Sequence, residues 1–336
     1  MDDRSGPVGW TDAQWNRVRQ AVSDEAGRAR VAASFLPIYG PLPSSTQIVP
    51  SEIVDEANGT VDDTSTTPIL EIKCEVALSQ QQVQEEDLSS ALLLFRRAAN
   101  VVARWEDWII FNGQRWLFRD EQRQPDIRGG RCDVTGGEKA GVDVRDGGEV
   151  VREPKLGQMD PRARRRMTQR LLFTNPGAMG LIDGGSIAVQ GGALDPNSIV
   201  TGIVRAVSEL ESNGHLAPFV CVLGNRAFEF ANTPAAGLVL PRDRIEAFLS
   251  RELLRSGTID QRRWEQPGQD PQQQAPQYAR GVVVSLAGDP VDLAVSVDPS
   301  PQFLYIDQQA RYVFRVYERF ALRIKESAAV ARLEFE

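Results

Sequence analysis

A chain of 336 residues with 41% hydrophobic and 25% charged residues has the mix of a globular protein with ample apolar material for a core, which excludes disorder as a whole. Its formal charge of −8 and pI near 5.0 give no general pull toward nucleic acid or anionic lipid, both of which need a dense excess of Lys and Arg. The acidic amino terminus, MDDRSGPVGWTDAQW, lacks the basic and apolar regions of a secretory signal, and no stretch approaches the roughly 18 apolar residues of a membrane span. A cytoplasmic protein with neither nucleic acid nor membrane as partner is expected. Cys74, Cys132 and Cys221 are odd in number and far apart, and His215 is the only histidine, so a zinc site, a disulfide framework or another cofactor centre is not expected.

Residues 11–33 place Trp15, Val18, Val22 and Ala26 three and four apart behind a cap at Thr11 or Asp12, which predicts an amphipathic helix. FLPIYGPLPSS, with three prolines and a glycine, then predicts an extended arm. Between 46 and 78, the runs IVPSEIV and PILEIKCEVAL flank an Asn58-Gly59 pair and predict a long two-stranded hairpin, in which Leu70, Ile72, Cys74, Val76 and Leu78 alternate with more polar residues. Leu88, Leu92, Phe95, Ala99, Val102, Trp105 and Ile109 predict a helix over 87–112, stopped by Gly113 and ~37 Å long at 1.5 Å per residue.

Between Arg115 and Pro176 periodicity fades into glycine and charge, ending in the basic run RARRRMTQR, and a surface insertion is expected. Asp195-Pro196 predicts the start of a helix that buries Val200, Val204, Val207 and Leu210 and ends at Gly214. FVCVL predicts a short buried strand, and RDRIEAFLSRELLRSG a second helix. RRWEQPGQDPQQQAPQY is too rich in Gln and Pro for a regular element. GVVVSLAGDPVDLAVSV reads as two strands joined by a Gly-Asp-Pro turn. YVFRVYERFALRIK reads as a long strand: Phe314, Val316, Phe320, Leu322 and Ile324 share one face, on which Glu318 is the single exception. Arg315, Arg319, Arg323 and Lys325 form a basic second face, expected to be wet or to lie against another subunit.

This element order, with the motifs IYGPLP, ARWEDWIIFNG, GLIDGG, GHLAPFVCVL and DPSPQFLY…YVFRVYERFALRIKES, resembles the encapsulin, or linocin-type, shell family. The resemblance spans residues 10 to 333 and departs from the family after Gly113 and around 261–279. It implies an α+β, HK97-type phage capsid fold: an amino-terminal lumenal helix and arm (1–45), an E-loop hairpin (46–78), a P-domain spine helix (79–114), an insertion returning to the P-domain (115–180), an A-domain (181–300) and a carboxy-terminal P-domain strand (301–336). It also implies a homo-oligomer of sixty subunits or a multiple of sixty, enclosing a cargo protein held by a short targeting peptide, for which ferritin-like proteins and dye-decolorising peroxidases are candidates. The peptide dock falls by resemblance on Trp15, Val18, Val22, Val31, Phe35 and Ile38, closed by Phe303, Tyr305 and Ile306. These residues equally serve to pack the helix. The five-fold pore falls on 225–241, with Asn225, Arg226, Asn232 and Thr233.

The arm and free hairpin support assembly on physical grounds, since a compact monomer is not expected to bury their apolar residues. No phosphate-binding GxxxxGK[ST] loop, HExxH pair or GxSxG elbow occurs. His215, in the turn NGHLAP, is expected to cap or pack. Glu106 and Asp107 point ~100° apart as helix neighbours and are expected to be interface or solvated charges rather than an acid–base pair. The run at Arg162, Arg164, Arg165 and Arg166 is expected to be solvated or subunit-pairing, and Asn58-Gly59-Thr60 only a turn. Two rivals are a phage major capsid protein, which would need a basic inner surface, and a soluble hydrolase or bacteriocin, which lacks a plausible nucleophile and base.

Overall fold

The alternation read over 70–78 forms strand β6 (Leu70–Leu78), with its odd-numbered partners Glu71, Lys73 and Glu75 only half-buried between fully buried neighbours. The computed structural model describes residues 8–55, 59–62, 64–113, 132–136, 179–234, 239–260 and 279–336. In it β6 lies inside a five-stranded sheet. It pairs antiparallel with β13 (Tyr312–Ile324), placing Leu70 opposite Phe320 and Val76 opposite Phe314. Both strands bury one face, so a one-residue slip would turn every apolar side chain outward. Beyond β13 runs β12 (Val291–Ile306), whose 16 residues are bent by register shifts near Ser296, Asp298 and Tyr305. β1 (Ile38–Tyr39) joins β12 in parallel at Leu293 and Ala294, and β7 (Cys132–Gly136) joins β6, giving the order β1-β12-β13-β6-β7.

The hairpin is therefore shorter than its sequence suggests. β2 (Ile48–Pro50) pairs with β5 (Thr66–Pro68), and β3 (Ile53–Asp55) with β4 (Thr60–Asp62), two short ladders interrupted at Glu52, whose φ is 52°. The run 70–78 does not serve as the hairpin's second arm, because only β13 offers it a continuous apolar face. Apart from β7, the expected insertion between 115 and 176 lies outside the described residues, as do Asn58, the basic run at 162–166 and the loop 261–278. At β7 the chain forms a sheet edge rather than a pure surface loop.

Helix α1 (Asp12–Ala29) starts at Thr11, which accepts from Gln14 N while Gln14 reciprocates, and ends at Arg30 in extended conformation. α2 (Gln80–Gln84) is a single turn leading to the spine, α3 (Ser89–Asn112). α3 has no capping side chain at Leu88; the Glu85 carboxylate instead accepts from Ser90 N and Oγ at 2.9 and 2.7 Å. Gly113, at φ 82°, ends it as expected. The GLIDGG segment is not a turn but helix α4 (Gly180–Gly184), seated on that end. A Cβ on Gly180 would lie 2.3 Å from Gly113 N, and with φ +74° no other residue fits.

A second sheet has the order β10-β9-β11-β14-β8: β8 (Ile187–Gly192), β9 (Phe219–Leu223), β10 (Leu254–Arg255), β11 (Ala279–Ser285) and β14 (Val330–Phe335). FVCVL is wholly apolar because both faces are buried: Val220 and Val222 meet the core under α3, while Phe219, Cys221 and Leu223 meet α5 (Pro196–Ser212). Asp195 caps α5 as expected, accepting from Asn197 N and Ser198 N. The predicted second helix is only α7 (Pro241–Glu246). The Glu246 carboxylate accepts from Leu253 N at 3.3 Å, turning the chain back so that Leu254 and Arg255 extend the sheet beside β9. The Gly-Asp-Pro turn joins strands of different sheets, with Gly288 and Asp289 both left-handed at φ 81° and 54°. Among the described residues no helix is long and apolar enough to cross a membrane.

Candidate functional site

The inner face of α1 carries Val18, Ala21, Val22 and Ala26, all buried against α3 and the first sheet. The sequence reading missed the element that completes this seat. Trp10 stacks on Phe314 at 5.1 Å, and its indole Nε1 donates to Val83 O at 2.9 Å. Trp15 and Phe95 complete an aromatic box edge-on to Phe314 at 6.1 and 5.3 Å, and Phe303 closes it from β12 at 5.4 Å. Of the predicted dock residues, Trp15 and Phe303 are thus brought together around one ring, with Val31 half-buried against the same core.

Val18, Val22 and Phe35 are packed inside the chain itself and present no free surface, the alternative role that the sequence left open for them. The arm also buries Phe35 and Leu36 without help from a neighbour, contrary to expectation, because a 3-10 turn at Ala32–Ser34 drops both side chains onto the core. Ile38, Tyr305 and Ile306 are exposed, at 63%, 51% and 48%. They do not share a groove: Ile38 pairs with Leu293, a dozen positions along β12 from Tyr305, which at 3.3 Å per residue is ~40 Å.

Glu106 and Asp107 overturn the expectation of solvated or interface charges. Both are buried, because this stretch of α3 is covered by α1, β12 and β13. Asp107 receives Val31 N and Ala32 N at 3.0 and 2.8 Å, which anchors the exit of α1. Burial nonetheless pushes its carboxyl up to about 7. Glu106 faces Glu318, the exception on the apolar face of β13. Burial raises both, Glu318 to about 8, and the charge of Glu318 further opposes ionisation of Glu106. Arg30, the residue that ends α1, reaches into this cluster with Nη1 2.8 Å from Asp298 and 3.4 Å from Glu318, and Nε 3.7 Å from Glu106. So Glu106 pairs with Glu318 across the elements and not with its helix neighbour.

The basic face of β13 is covered in part by this chain's own arm and hairpin base, which meet Arg319 and Arg323, while Arg315 and Lys325 stay part-exposed. Arg323 is 1% exposed, with Nε 2.7 Å and Nη2 2.6 Å from the Asp292 carboxylate, Nη1 donating to Pro50 O, and its guanidinium 3.8 Å over the Tyr39 ring. Lys325 also reaches Asp292, at 3.2 Å. Arg319 donates to Ser44 O and Thr46 O, and Arg315 pairs with Glu71 at 2.8 Å. Arg319 and Arg323, donating to Ser44, Thr46 and Pro50, bind the arm and hairpin base to the sheet.

The segment chosen for the pore is not a plain loop. Asn225 and Arg226 open helix α6 (Asn225–Ala231), Asn232 caps its end, donating to Phe228 O, and Thr233 Oγ1 donates to Glu229 O. Residues 235–238 lie outside the described residues. Asp260, missed by the sequence reading, fills the space that a side chain at Gly224 would need and accepts from Arg226 N at 3.4 Å. His215 packs in its turn with Nδ1 3.8 Å from Glu326. Cys74 and Cys221 are both buried, and burial holds the Cys221 thiol in its protonated form.

No protein-family model matches the chain, and no curated protein matches it. Its backbone is nevertheless similar to solved shells. A virus-like particle from Pyrococcus furiosus superposes with a TM-score of 0.56 at 13% identity, over 95% of this chain and 99% of that one. The encapsulin of the holo-SrpI complex from Synechococcus elongatus PCC 7942 superposes with a TM-score of 0.50 at 10% identity, over 91% of this chain and 88% of that one. The fold is the α+β, HK97-type capsid fold that these shells share, as the sequence motifs implied.

Proposed function

We propose that the chain is the subunit of an encapsulin-type compartment, a structural protein that assembles into a closed homo-oligomeric cage. The observation that carries this reading is the near end-to-end superposition on the Pyrococcus virus-like particle. Sixty subunits or a multiple of sixty, enclosing a cargo enzyme in the cytoplasm, complete the proposal. The sequestered Cys74 and Cys221 and the packed His215 favour a structural role over a hydrolytic one. The cargo peptide is proposed to dock beside α1, on the half-buried Trp15, Val31 and Phe303 and the exposed Tyr305 and Ile306, with Val18, Val22 and Phe35 supporting the seat from beneath. An apolar shelf of this kind suits a tethered peptide, because many weak copies act together in one cage. The pore is proposed at the end of α6, around Asn232 and Thr233.

Negative-stain electron microscopy of the protein expressed alone tests the central claim. Uniform hollow particles a few tens of nanometres across are expected, and a monodisperse monomer would overturn it. A phage capsid subunit of the same fold would instead enclose DNA, so nuclease-protected nucleic acid in the particles would turn the reading toward that alternative.

A further inference from the structure

The junction at the end of α1 is built unlike any other charged contact among the described residues. Four carboxyls, Glu106 and Asp107 from α3, Glu318 from β13 and Asp298 from β12, face the single guanidinium of Arg30 from α1. Glu106 and Glu318 are both 0% exposed. Among the described residues Glu106 has no donor at hydrogen-bonding distance on either oxygen, and Glu318 has none on Oε2, so there the two carboxyls have only each other and the edge of Arg30. Asp107 is satisfied by Val31 N and Ala32 N, and Asp298 is largely in water. With every carboxyl ionised, Arg30 would leave an excess of negative charge where four elements meet, with Glu106 and Glu318 both fully buried in it. Burial of unpaired charge of one sign is costly enough that such a site keeps a proton instead.

We propose that the Glu106–Glu318 pair is a proton-dependent latch: one proton shared between the two carboxyls closes the junction, and its loss in alkaline solution releases Arg30–Ala32 from α3. The latch acts on α1 and on the start of the arm, the two segments tied down at Arg30 and at Asp107. Its direction follows from linkage. The closed junction holds the proton to higher pH than the opened, solvated one does, so closure weakens as pH rises from the ordinary carboxylate range through about 8 and stops changing only once the closed pair has lost its proton. Asp107, raised to about 7, adds in the same direction, while the guanidinium stays charged throughout. The inference does not depend on the shell reading, because the junction lies within one chain.

Hydrogen exchange followed by mass spectrometry of the full protein, in whatever assembly it forms, tests it between pH 5 and 9. After correction for base catalysis of exchange, the opening constant of the 30–36 segment should rise with pH across this range, by up to ~10-fold per unit for each proton released on opening. In Glu318→Gln, and independently in Glu106→Gln, an amide that donates without titrating replaces the shared proton, and the slope should fall by at least half. Glu209→Gln, at an exposed carboxyl of α5, which packs on the second sheet, should leave it unchanged. Equal slopes in wild type and both Gln variants would overturn the latch. So would the same slope at the β6 amides, since the opening would then be global.

Discussion

The two faces of β13 handle buried charge in opposite ways. On one, Arg315, Arg319 and Arg323 each find a carboxylate or a row of carbonyls, and Asp292 is matched by both Arg323 and Lys325. On the other, Glu318 sits among Phe314, Val316 and Phe320 and meets a second carboxyl. The first face is satisfied with every group charged; the second is satisfied only while a proton is held. Matched ion pairs hold the arm and hairpin in place at any ordinary pH, whereas an excess of one sign makes a contact conditional.

Several substitutions would sharpen that contrast. The largest loss is expected from Trp10→Ala, which empties the aromatic box over Phe314 and should cost about 4 kcal/mol in urea unfolding, with little dependence on pH. Arg323→Ala should cost about 3 kcal/mol by the same measurement, because Asp292 stays buried with only Lys325 beside it. Its cost should be nearly constant between pH 6 and 8.5; a strong pH dependence would break the comparison. Arg30→Met, on the other face, should cost about 2 kcal/mol at pH 8 and markedly less at pH 5, where protonated carboxyls no longer need the cation. Thr11→Ala removes the cap of α1 and should cost about 1 kcal/mol at every pH. Replacing Tyr305 and Ile306 by Ser should change stability by less than about 0.5 kcal/mol, since both lie in water. Loss of cargo co-purification from intact particles would then report the proposed dock alone.

The dock illustrates how far residue patterns reach. Helical spacing correctly placed Trp15, Val18 and Val22 on one face of α1, yet spacing cannot distinguish a face awaiting a peptide from a face already covered, and Val18 and Val22 are covered by the chain's own spine. Trp10 was overlooked because it precedes the periodic run, joining the box through the turn before Thr11. Ile38 and Tyr305 looked like neighbours by resemblance, but the parallel register of β1 on β12 sets them far apart.

Local pattern alone determined the long elements: α1 with its cap, α3 with its glycine stop, α5 behind Asp195, and the alternating strands at 70–78 and 312–324. Each is set by forces acting within a few residues, namely apolar periodicity and orphaned backbone groups at helix ends. Tertiary structure alone decided which strands pair, why β11 and β12 part company across one turn, and which charges are buried. Glu318 was visible in the sequence as an exception on an apolar face, but its meaning was not. Its protonation depends on Glu106, Arg30 and Asp298, distant in sequence and brought within a few ångströms only when four elements pack.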